Sequence, residues 1–170
     1  MEYRALSLFK KKGTKESLGR QFIDLALMFN GVPYGWGKEN LEEVDCSGLF
    51  STSLLFMGFP IRETAEGFRQ KFFTKETTFQ FDPDKVKAIF FVSRDSYDTP
   101  SGTRIKGRAR HIGLLVGNNV IFHAIRPYAR FEELSKVIKR YDTSDIIIRE
   151  IDWDKVKESK FEYSFDKELG

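Results

Sequence analysis

The amino-acid sequence predicts an α+β domain in which helices come first and an antiparallel β-sheet follows. Helical periodicity dominates the first half of the 170-residue chain, and short apolar runs separated by turn signals dominate the second half. The clearest turn signal is Gly117-Asn118-Asn119, which has an apolar run on each side. Helices that precede strands, instead of alternating with them, are typical of helices packed on a central antiparallel sheet.

Length and composition indicate one soluble globular domain over residues 1–170, with a lead-in at 1–13 and a C-terminal extension at 152–170. The chain is 41% apolar and 31% charged, and its net charge is only +3. This balance argues against a nucleic-acid partner, since such proteins usually carry a one-sided basic surface. No apolar run reaches the roughly 20 residues of a membrane span. Nothing in the sequence calls for a cofactor, and we expect a monomer.

Three helices are predicted in the first half. The first covers residues 14–30 and ends at Gly31, and the third covers residues 64–71. The second covers residues 46–57 and follows Asp45, a residue type that caps helix N-termini. In the second half we predict strands and one further helix. The strands are at 88–92, 111–116, 120–124 and 145–151, with an edge strand at 161–165, and the helix is at 131–141.

The single cysteine, Cys46, lies in the first turn of the second predicted helix. Unpaired N–H groups and the helix dipole favour an anion at that position, so the sequence predicts a lowered thiol pKa and a nucleophilic sulfur. Asp45 opposes this effect because its own charge is negative. A lone cysteine is most often a small buried apolar residue, so its neighbours must decide its role.

The only two histidines, His111 and His123, lie on the two predicted strands of one hairpin. A three-residue loop at 117–119 pairs Val116 with Val120 and therefore sets His123 opposite Gly113. His111 and Gly113 share a face of their strand, so the two imidazoles become diagonal neighbours within reach of each other. If the Cys46 helix packs on that face, the three side chains provide a nucleophile, a base and an orienting group. Gly113, which has no side chain, would leave room for that helix to approach.

Five segments resemble the NlpC/P60 cysteine peptidases, which are papain-like cell-wall hydrolases. They are PYGWG at 33–37, DCSGLF at 45–50, GFPIRETAEGFRQ at 58–70, AIFF at 88–91 and HIGLLVGNNVIFHA at 111–124. The resemblance covers about residues 15–125 and rests on the presence of all five segments in this order. It implies a papain-like NlpC/P60 fold, and a thiol endopeptidase that hydrolyses the bond between D-γ-glutamyl and a diamino acid (meso-diaminopimelate or lysine) in peptidoglycan stem peptides.

The resemblance also implies roles for particular residues. Cys46 is the nucleophile, His111 the base and His123 the third polar residue. Tyr34 corresponds to an aromatic residue that lines the active site of the family. Asp45 and Ser47 flank the nucleophile where family members contact the free amine of the peptide, although helix capping explains both residues equally well.

Two features depart from many family members. About fifteen residues precede the first predicted helix, so we expect no targeting domain of the kind that often walls the substrate cleft. The connection 93–110 is long and contains five basic residues. Arg104, Lys106, Arg108 and Arg110 alternate with smaller or apolar residues, so an extended segment would present them in a row on one side. We expect either a solvated loop or a replacement cleft wall, in which Arg108 or Arg110 binds a substrate carboxylate.

The sequence leaves alternatives open for both the cellular location of the protein and the reaction it catalyses. The implied substrate places the protein in the cell envelope or outside the cell, but the first residues do not read as a secretory signal, so a cytoplasmic or phage-delivered protein stays open. A papain-like amidase or acyl hydrolase is the main alternative in chemistry. An inactive wall-binding relative is another, and so is a zinc module, although the cysteine and histidines lack compact ligand spacing.

Overall fold

The order of elements along the chain confirms the predicted α+β class. The computed structural model describes residues 16–100 and 102–159, so the lead-in at 1–13 and the edge strand predicted at 161–165 lie outside the described residues. The elements are α1 (Leu18–Leu27), α2 (Cys46–Phe56), α3 (Ala65–Lys71), β1 (Lys87–Ser93), β2 (Tyr97–Thr99), β3 (Gly102–Arg104), β4 (Ala109–Gly117), β5 (Val120–His123), β6 (Arg130–Glu133), α4 (Leu134–Arg140) and β7 (Ser144–Glu150). Residues 153–159 are helical as well.

A five-stranded antiparallel sheet, in the order β6-β5-β4-β1-β7, forms the centre of the domain. Every residue of β1 is buried, as expected for a strand with a neighbour on each side and packed elements on both faces. The remaining strands, β2 and β3, form a separate two-stranded hairpin inside the connection 93–110. This connection therefore contains paired strands and is not irregular throughout.

Side-chain hydrogen bonds set where the helices begin. Ser17 caps α1 by accepting from the N–H of Arg20, and Thr64 caps α3 by accepting from the N–H of Gly67. The predicted start of α2 at Cys46 is confirmed, with Asp45 as its cap. Beyond α1, Gly31 has a φ of 86°, a left-handed conformation that glycine adopts without steric cost.

The sheet separates two apolar clusters. Helices α1, α2 and α3 cover one face, where a Phe-rich core includes Phe22, Phe50, Phe68, Phe73 and Phe90, with successive ring centroids 5.6–6.1 Å apart. On the other face a smaller cluster includes Phe91 and Leu115 of the sheet, and α4 covers it with Leu134 and Val137. Burial on both faces fixes the register, because a slip of one residue would turn each apolar set toward the wrong side.

One predicted helix is partly wrong. Residues 131–133, placed in the helix 131–141, belong to β6, and the helix begins only at Leu134. The strand forms because Phe131 pairs with Phe122 of β5, and the two rings lie 4.9 Å apart. Tertiary packing of this kind overrides the local helical pattern.

The first part of the C-terminal extension packs on the helical layer. The ring of Trp153 lies 6.4 Å from Phe22 and 6.3 Å from Phe59, and Val156 is fully buried. Residues 152–159 thus contribute to the same core as α1. Within the described ranges, no helix has the length and apolar character needed to cross a membrane.

Candidate active site

Cys46 is presented by a tightly fixed helix start. The carboxylate of Asp45 accepts from the N–H of Gly48 at 2.6 Å and from the N–H of Gly37 at 2.9 Å, so it ties the preceding loop to the first turn of α2. Gly48 is required for this close approach, because a Cβ there would lie 2.2 Å from the carbonyl oxygen of Lys38. The nucleophile candidate therefore sits on a rigid element.

The surroundings of the thiol raise its pKa. Cys46 as a whole residue is partly exposed, but protein atoms surround its sulfur, and this burial, with the charge of Asp45, raises the pKa to about 11. The backbone N–H groups of Ile112 and Ser47 face the sulfur and lower the pKa by a smaller amount. The sequence-based prediction of a lowered pKa is wrong for this resting site, because it considered the helix dipole and not the loss of water around the sulfur.

The two histidines are in direct contact. His111 Nε2 and His123 Nδ1 lie 2.7 Å apart, and both side chains are buried. Leu114 pairs with Phe122 and Leu115 with Ile121, which is the register predicted for the hairpin. The register is confirmed, although the chain closes differently: Gly117 pairs with Val120 around a bulge, and the two-residue turn includes Asn119 with a φ of 59°.

The histidines project from the face of the sheet opposite to the helical layer. The ring of His111 lies 5.5 Å from Phe91 and stacks on Tyr141 at 5.1 Å, and both of these residues belong to the smaller cluster. The condition that α2 packs on the face with the imidazoles is therefore not met. Cys46 reaches the site because it is the first residue of α2 and meets β4 at the backbone of Ile112.

Gly113 has a different role from the predicted one. It was expected to leave room for the Cys46 helix, but a Cβ at this position would lie 2.2 Å from Cδ1 of Ile121 and 3.3 Å from Cβ of His123. The missing side chain thus makes space for the cross-strand neighbours on β5. It allows the side chain of Ile121 to pack beside the histidine pair.

Burial keeps both imidazoles neutral. The pKa of His111 is lowered well below 6.5, first by desolvation and then by the charges of His123 and Arg110. Desolvation also lowers the pKa of His123 to about 4, against an opposing contribution from Glu132. At neutral pH the site consequently holds a thiol and two neutral imidazoles.

Sequence reasoning missed two residues of the site. Tyr141 stacks on His111, and burial followed by the charge of Cys46 raises the pKa of its hydroxyl to about 12. Glu132 lies at the far end of the histidine pair, with Oε1 3.0 Å from His123 Nε2. Along residues 129–132, apolar Ala129 and Phe131 alternate with charged Arg130 and Glu132. This period-two alternation is the sequence signal that indicates an edge strand.

Tyr34, Asp45 and Ser47 lie close to Cys46. The pKa of Tyr34 is raised by burial and by the charges of Cys46 and Asp45, and the guanidinium of Arg126 lies 5.5 Å from its ring centre. Asp45 and Ser47 line a pocket on the outer side of the helix start, although Asp45 is also the helix cap. The pocket is completed by Gly37, Lys38, Glu39, Gly48, Arg62, Glu63 and Thr64.

The basic residues of the connection do not form the extended row that was expected. A turn at Gly107, with a φ of 80°, and a bulge at Arg110 interrupt the alternation. Arg110 instead lies between two rings, 5.1 Å from Tyr97 and 4.9 Å from Tyr141. Arg108 is exposed. Arginines 104, 108 and 110 nevertheless line one pocket, which also includes Thr64, Glu66, Ser93, Thr103, Ile105 and Ala109.

In the part of the chain that the structure describes, no group of three or more histidine, cysteine, aspartate or glutamate side chains is arranged to hold a metal ion. The two histidines instead contact each other, and the sulfur of Cys46 faces the backbone N–H groups of Ile112 and Ser47.

Comparisons with known proteins identify the family of this chain. The family model described as "NlpC/P60 family" matches residues 31–145, a segment that contains Cys46, both histidines, Glu132 and Tyr141. The "Bifunctional muramidase/DL-endopeptidase CwlT" of Bacillus subtilis (strain 168) is 33% identical over 104 residues. That match covers 58% of this chain but only 27% of the relative.

Solved structures show the same fold at low sequence identity. NlpC1 of Trichomonas vaginalis has a TM-score of 0.59 at 19% identity, over 83% of this chain and 45% of that one. An NlpC/P60 family protein of Bacillus cereus ATCC 10987 has a TM-score of 0.59 at 18% identity, over 79% and 40% of the two chains. The NlpC/p60 domain of the peptidoglycan hydrolase SagA has a TM-score of 0.52 at 18% identity, over 79% and 97%. Since the family model matches well over half of the sequence and includes the whole Cys46–His111–His123 arrangement, this chain belongs to the NlpC/P60 family.

Proposed function

We propose that this protein is a cysteine endopeptidase that hydrolyses peptidoglycan stem peptides at the bond between D-γ-glutamyl and a diamino acid. The observation that carries the proposal is the 2.7 Å contact between His111 and His123, beside a cysteine at the start of a buried helix. The name of the Bacillus relative, a DL-endopeptidase, and the description of SagA as a peptidoglycan hydrolase support the substrate class. We further propose that the protein acts in the cell envelope or outside the cell, where this substrate occurs.

The first chemical step is acylation of Cys46. His111 removes the thiol proton while the sulfur attacks the scissile carbonyl carbon, which gives a tetrahedral oxyanion. The backbone N–H of Cys46, at the positive end of α2, is placed to stabilise that charge, and the hydroxyl of Tyr34 is a second candidate donor. His111 then transfers its proton to the leaving amine as the C–N bond breaks, and a thioester forms.

The second step is hydrolysis of the thioester. Water replaces the departed amine, His111 takes one of its protons, and the resulting hydroxide attacks the thioester carbon. Collapse of the second tetrahedral intermediate releases the carboxylic acid, and the sulfur recovers its proton from His111. A raised thiol pKa is compatible with this cycle, because the proton passes directly to a neutral base and no resting thiolate is needed.

Two pockets flank the nucleophile and suit opposite charges on the substrate. The pocket with Asp45 offers a carboxylate to a free amine, beside Glu39, which pairs with Arg62, and Glu63, which pairs with Lys71. The pocket with Arg108 and Arg110 offers guanidinium groups to a free carboxylate. A stem peptide carries both kinds of group, so these pockets would orient it across Cys46.

The proposal is tested by incubating the protein with defined muropeptides and identifying the products by mass spectrometry. We expect cleavage that leaves L-alanyl-D-glutamate on the sugar and releases the diamino acid with its downstream residues. Release of the whole stem peptide from the sugar would indicate an amidase, and turnover of ester or lipid substrates alone would indicate an acyl hydrolase. Either result would overturn the proposed bond.

Arg108 and Arg110 are expected to contribute to substrate binding. We expect Arg108→Ala to raise KM about 10-fold with little change in kcat, because a charge-assisted hydrogen bond to a carboxylate is worth about 1.5 kcal/mol or more. Arg110→Gln, which keeps a planar group between Tyr97 and Tyr141, should act in the same direction. Lys106→Ala is the matched control, since it removes an equal charge from the same connection. If Arg108→Ala and Lys106→Ala raised KM equally, the effect would reflect overall charge, and a specific contact between Arg108 and a substrate carboxylate would be contradicted.

A further inference from the structure

Glu132 lies at the end of the hydrogen-bonded chain that begins at His111. The register of β6 against β5 sets Glu132 opposite Ile121 and Arg130 opposite His123, so Glu132 is the diagonal neighbour of His123 on the same face. Its Oε1 lies 3.0 Å from His123 Nε2. The carboxylate side chain is only 14% exposed, so this contact is sheltered from solvent.

Two arginines fix this carboxylate. Arg140 binds both oxygens in a fork, with Nη1 3.0 Å from Oε1 and Nη2 2.6 Å from Oε2. Arg130 Nη2 lies 3.0 Å from Oε1, and its Nη1 donates to the carbonyl oxygens of Arg126 and Tyr128. The hydrogen bond from Arg140 is the main cause that lowers the pKa of Glu132 to about 2, so the group is an ionised acceptor at neutral pH.

The contact between the histidines alone does not decide where their protons lie. A neutral imidazole carries one N–H, so the 2.7 Å contact is satisfied either by His111 Nε2–H donating to His123 Nδ1 or by the reverse arrangement. In the reverse arrangement His111 carries its proton on Nδ1. That nitrogen is the only one left to face the thiol, and once protonated it cannot accept the thiol proton.

An ionised carboxylate beside His123 removes this ambiguity. It accepts hydrogen bonds only, so His123 Nε2 must carry the proton and His123 Nδ1 must be bare. His111 Nε2 then has to donate to His123 Nδ1, and His111 Nδ1 is left with a free lone pair. We propose that Glu132, clamped by Arg140 and Arg130, is a positioning residue that sets the tautomers of both histidines and so makes His111 a competent base.

The tautomer assignment stands on these contacts together with an ionised Glu132 and a neutral His123, whereas its importance for catalysis rests on the proposed peptidase function. Nitrogen-15 NMR of the imidazoles tests the assignment directly, and it is unusually simple here because the chain has only two histidines and hence four ring nitrogens. In the wild-type protein at pH 7, both Nε2 atoms should be protonated and both Nδ1 atoms bare. A scalar coupling should connect His111 Nε2 with His123 Nδ1 across the hydrogen bond.

Three variants link the assignment to Glu132. Glu132→Ala should give mixed tautomers at both histidines and lower kcat about 10- to 100-fold at unchanged KM, the usual scale for removal of an orienting partner. Glu132→Gln should retain the wild-type tautomer pattern and lose less activity than Glu132→Ala, because three donors face Oε1 and hold the amide oxygen there, while the amide NH2 loses the bond that Oε2 accepts from Arg140 Nη2. Glu133→Ala is the matched control, since Glu133 is the adjacent acid and contacts Ser135 and Lys136 instead.

The outcomes separate this inference from the proposed function. A wild-type protein with Nδ1 of His111 protonated, or a Glu132→Ala variant with unchanged tautomers, would overturn the inference whatever the activity. If Glu132→Ala does not fold, the wild-type spectrum and the cross-hydrogen-bond coupling still decide it. Equal loss of kcat in Glu132→Ala and Glu133→Ala would overturn the catalytic part. Failure of the wild-type protein to cleave any muropeptide would remove the proposed function while leaving the NMR result valid.

Discussion

Replacing Cys46 with alanine is expected to abolish hydrolysis of a defined muropeptide, with a fall in kcat/KM of at least roughly 10⁴-fold, because the chain has no second cysteine to form the acyl intermediate. The fold should be preserved, since Asp45 caps α2 through the N–H of Gly48 and not through the thiol. The measurement is the initial rate of product formation by mass spectrometry, together with the midpoint of thermal unfolding.

Leu55→Ala is a suitable control for this experiment, because Leu55 is on the same helix and is 52% exposed. It should leave both the rate and the unfolding midpoint nearly unchanged. A Cys46→Ala variant that still hydrolyses the muropeptide at the wild-type rate would rule out covalent catalysis by this residue. Alkylation with iodoacetamide gives a second measure: because burial raises the thiol pKa to about 11, labelling of the wild-type protein should be slow at pH 6 and accelerate in alkali.

Replacing His111 is expected to lower kcat/KM about 10³-fold, which is the scale of general-base catalysis. The pH dependence identifies the role. His111 acts as a base only when neutral, and its pKa is lowered well below 6.5, so wild-type kcat/KM should stay level as the pH falls from 8 to 6.5 and decline only below that. In His111→Ala this acidic decline should disappear, and the residual rate should rise with pH as solvent removes the thiol proton.

His111→Gln tests the same role while largely preserving the volume beside Tyr141 and Phe91. It should lose as much activity as His111→Ala, because an amide is not a base at neutral pH. His123→Asn should cause a smaller loss, since an orienting group contributes less than the base itself. A wild-type profile whose acidic decline has its midpoint above pH 6.5 would contradict the neutral resting state of His111.

Local features of the sequence predicted both parts of the candidate triad, namely the cysteine at a helix start and the histidine pair on a hairpin. The start of α2 depends on an N-cap and on the small residues that follow it, and both can be read from a few adjacent positions. The histidine register depends on a hairpin in which Asn119 adopts a left-handed conformation, again a short-range rule. The loop length was wrong, and yet the pairing was right, because the bulge near Gly117 restores the alternation that a three-residue loop would give.

Residues that reach the site from a distant part of the chain could not be predicted in this way. Glu132 contacts His123 only because Phe131 packs on Phe122 and makes β6 a strand of the sheet. Tyr141 meets His111 only after α4 has crossed the second face of that sheet. Each contact depends on how a whole element packs, and no spacing between neighbouring residues encodes it.

The sequence by itself thus identified the groups to which we assign the chemistry, namely one thiol and two imidazoles on elements that local rules define. Tertiary structure alone decided their protonation states. The pKa of Cys46 is high and that of His111 is low because packing removes water from both, and the proton positions follow from a carboxylate that the sheet brings to His123. Desolvation is the sum of contributions from every element around a site, so it becomes defined only when the chain has folded.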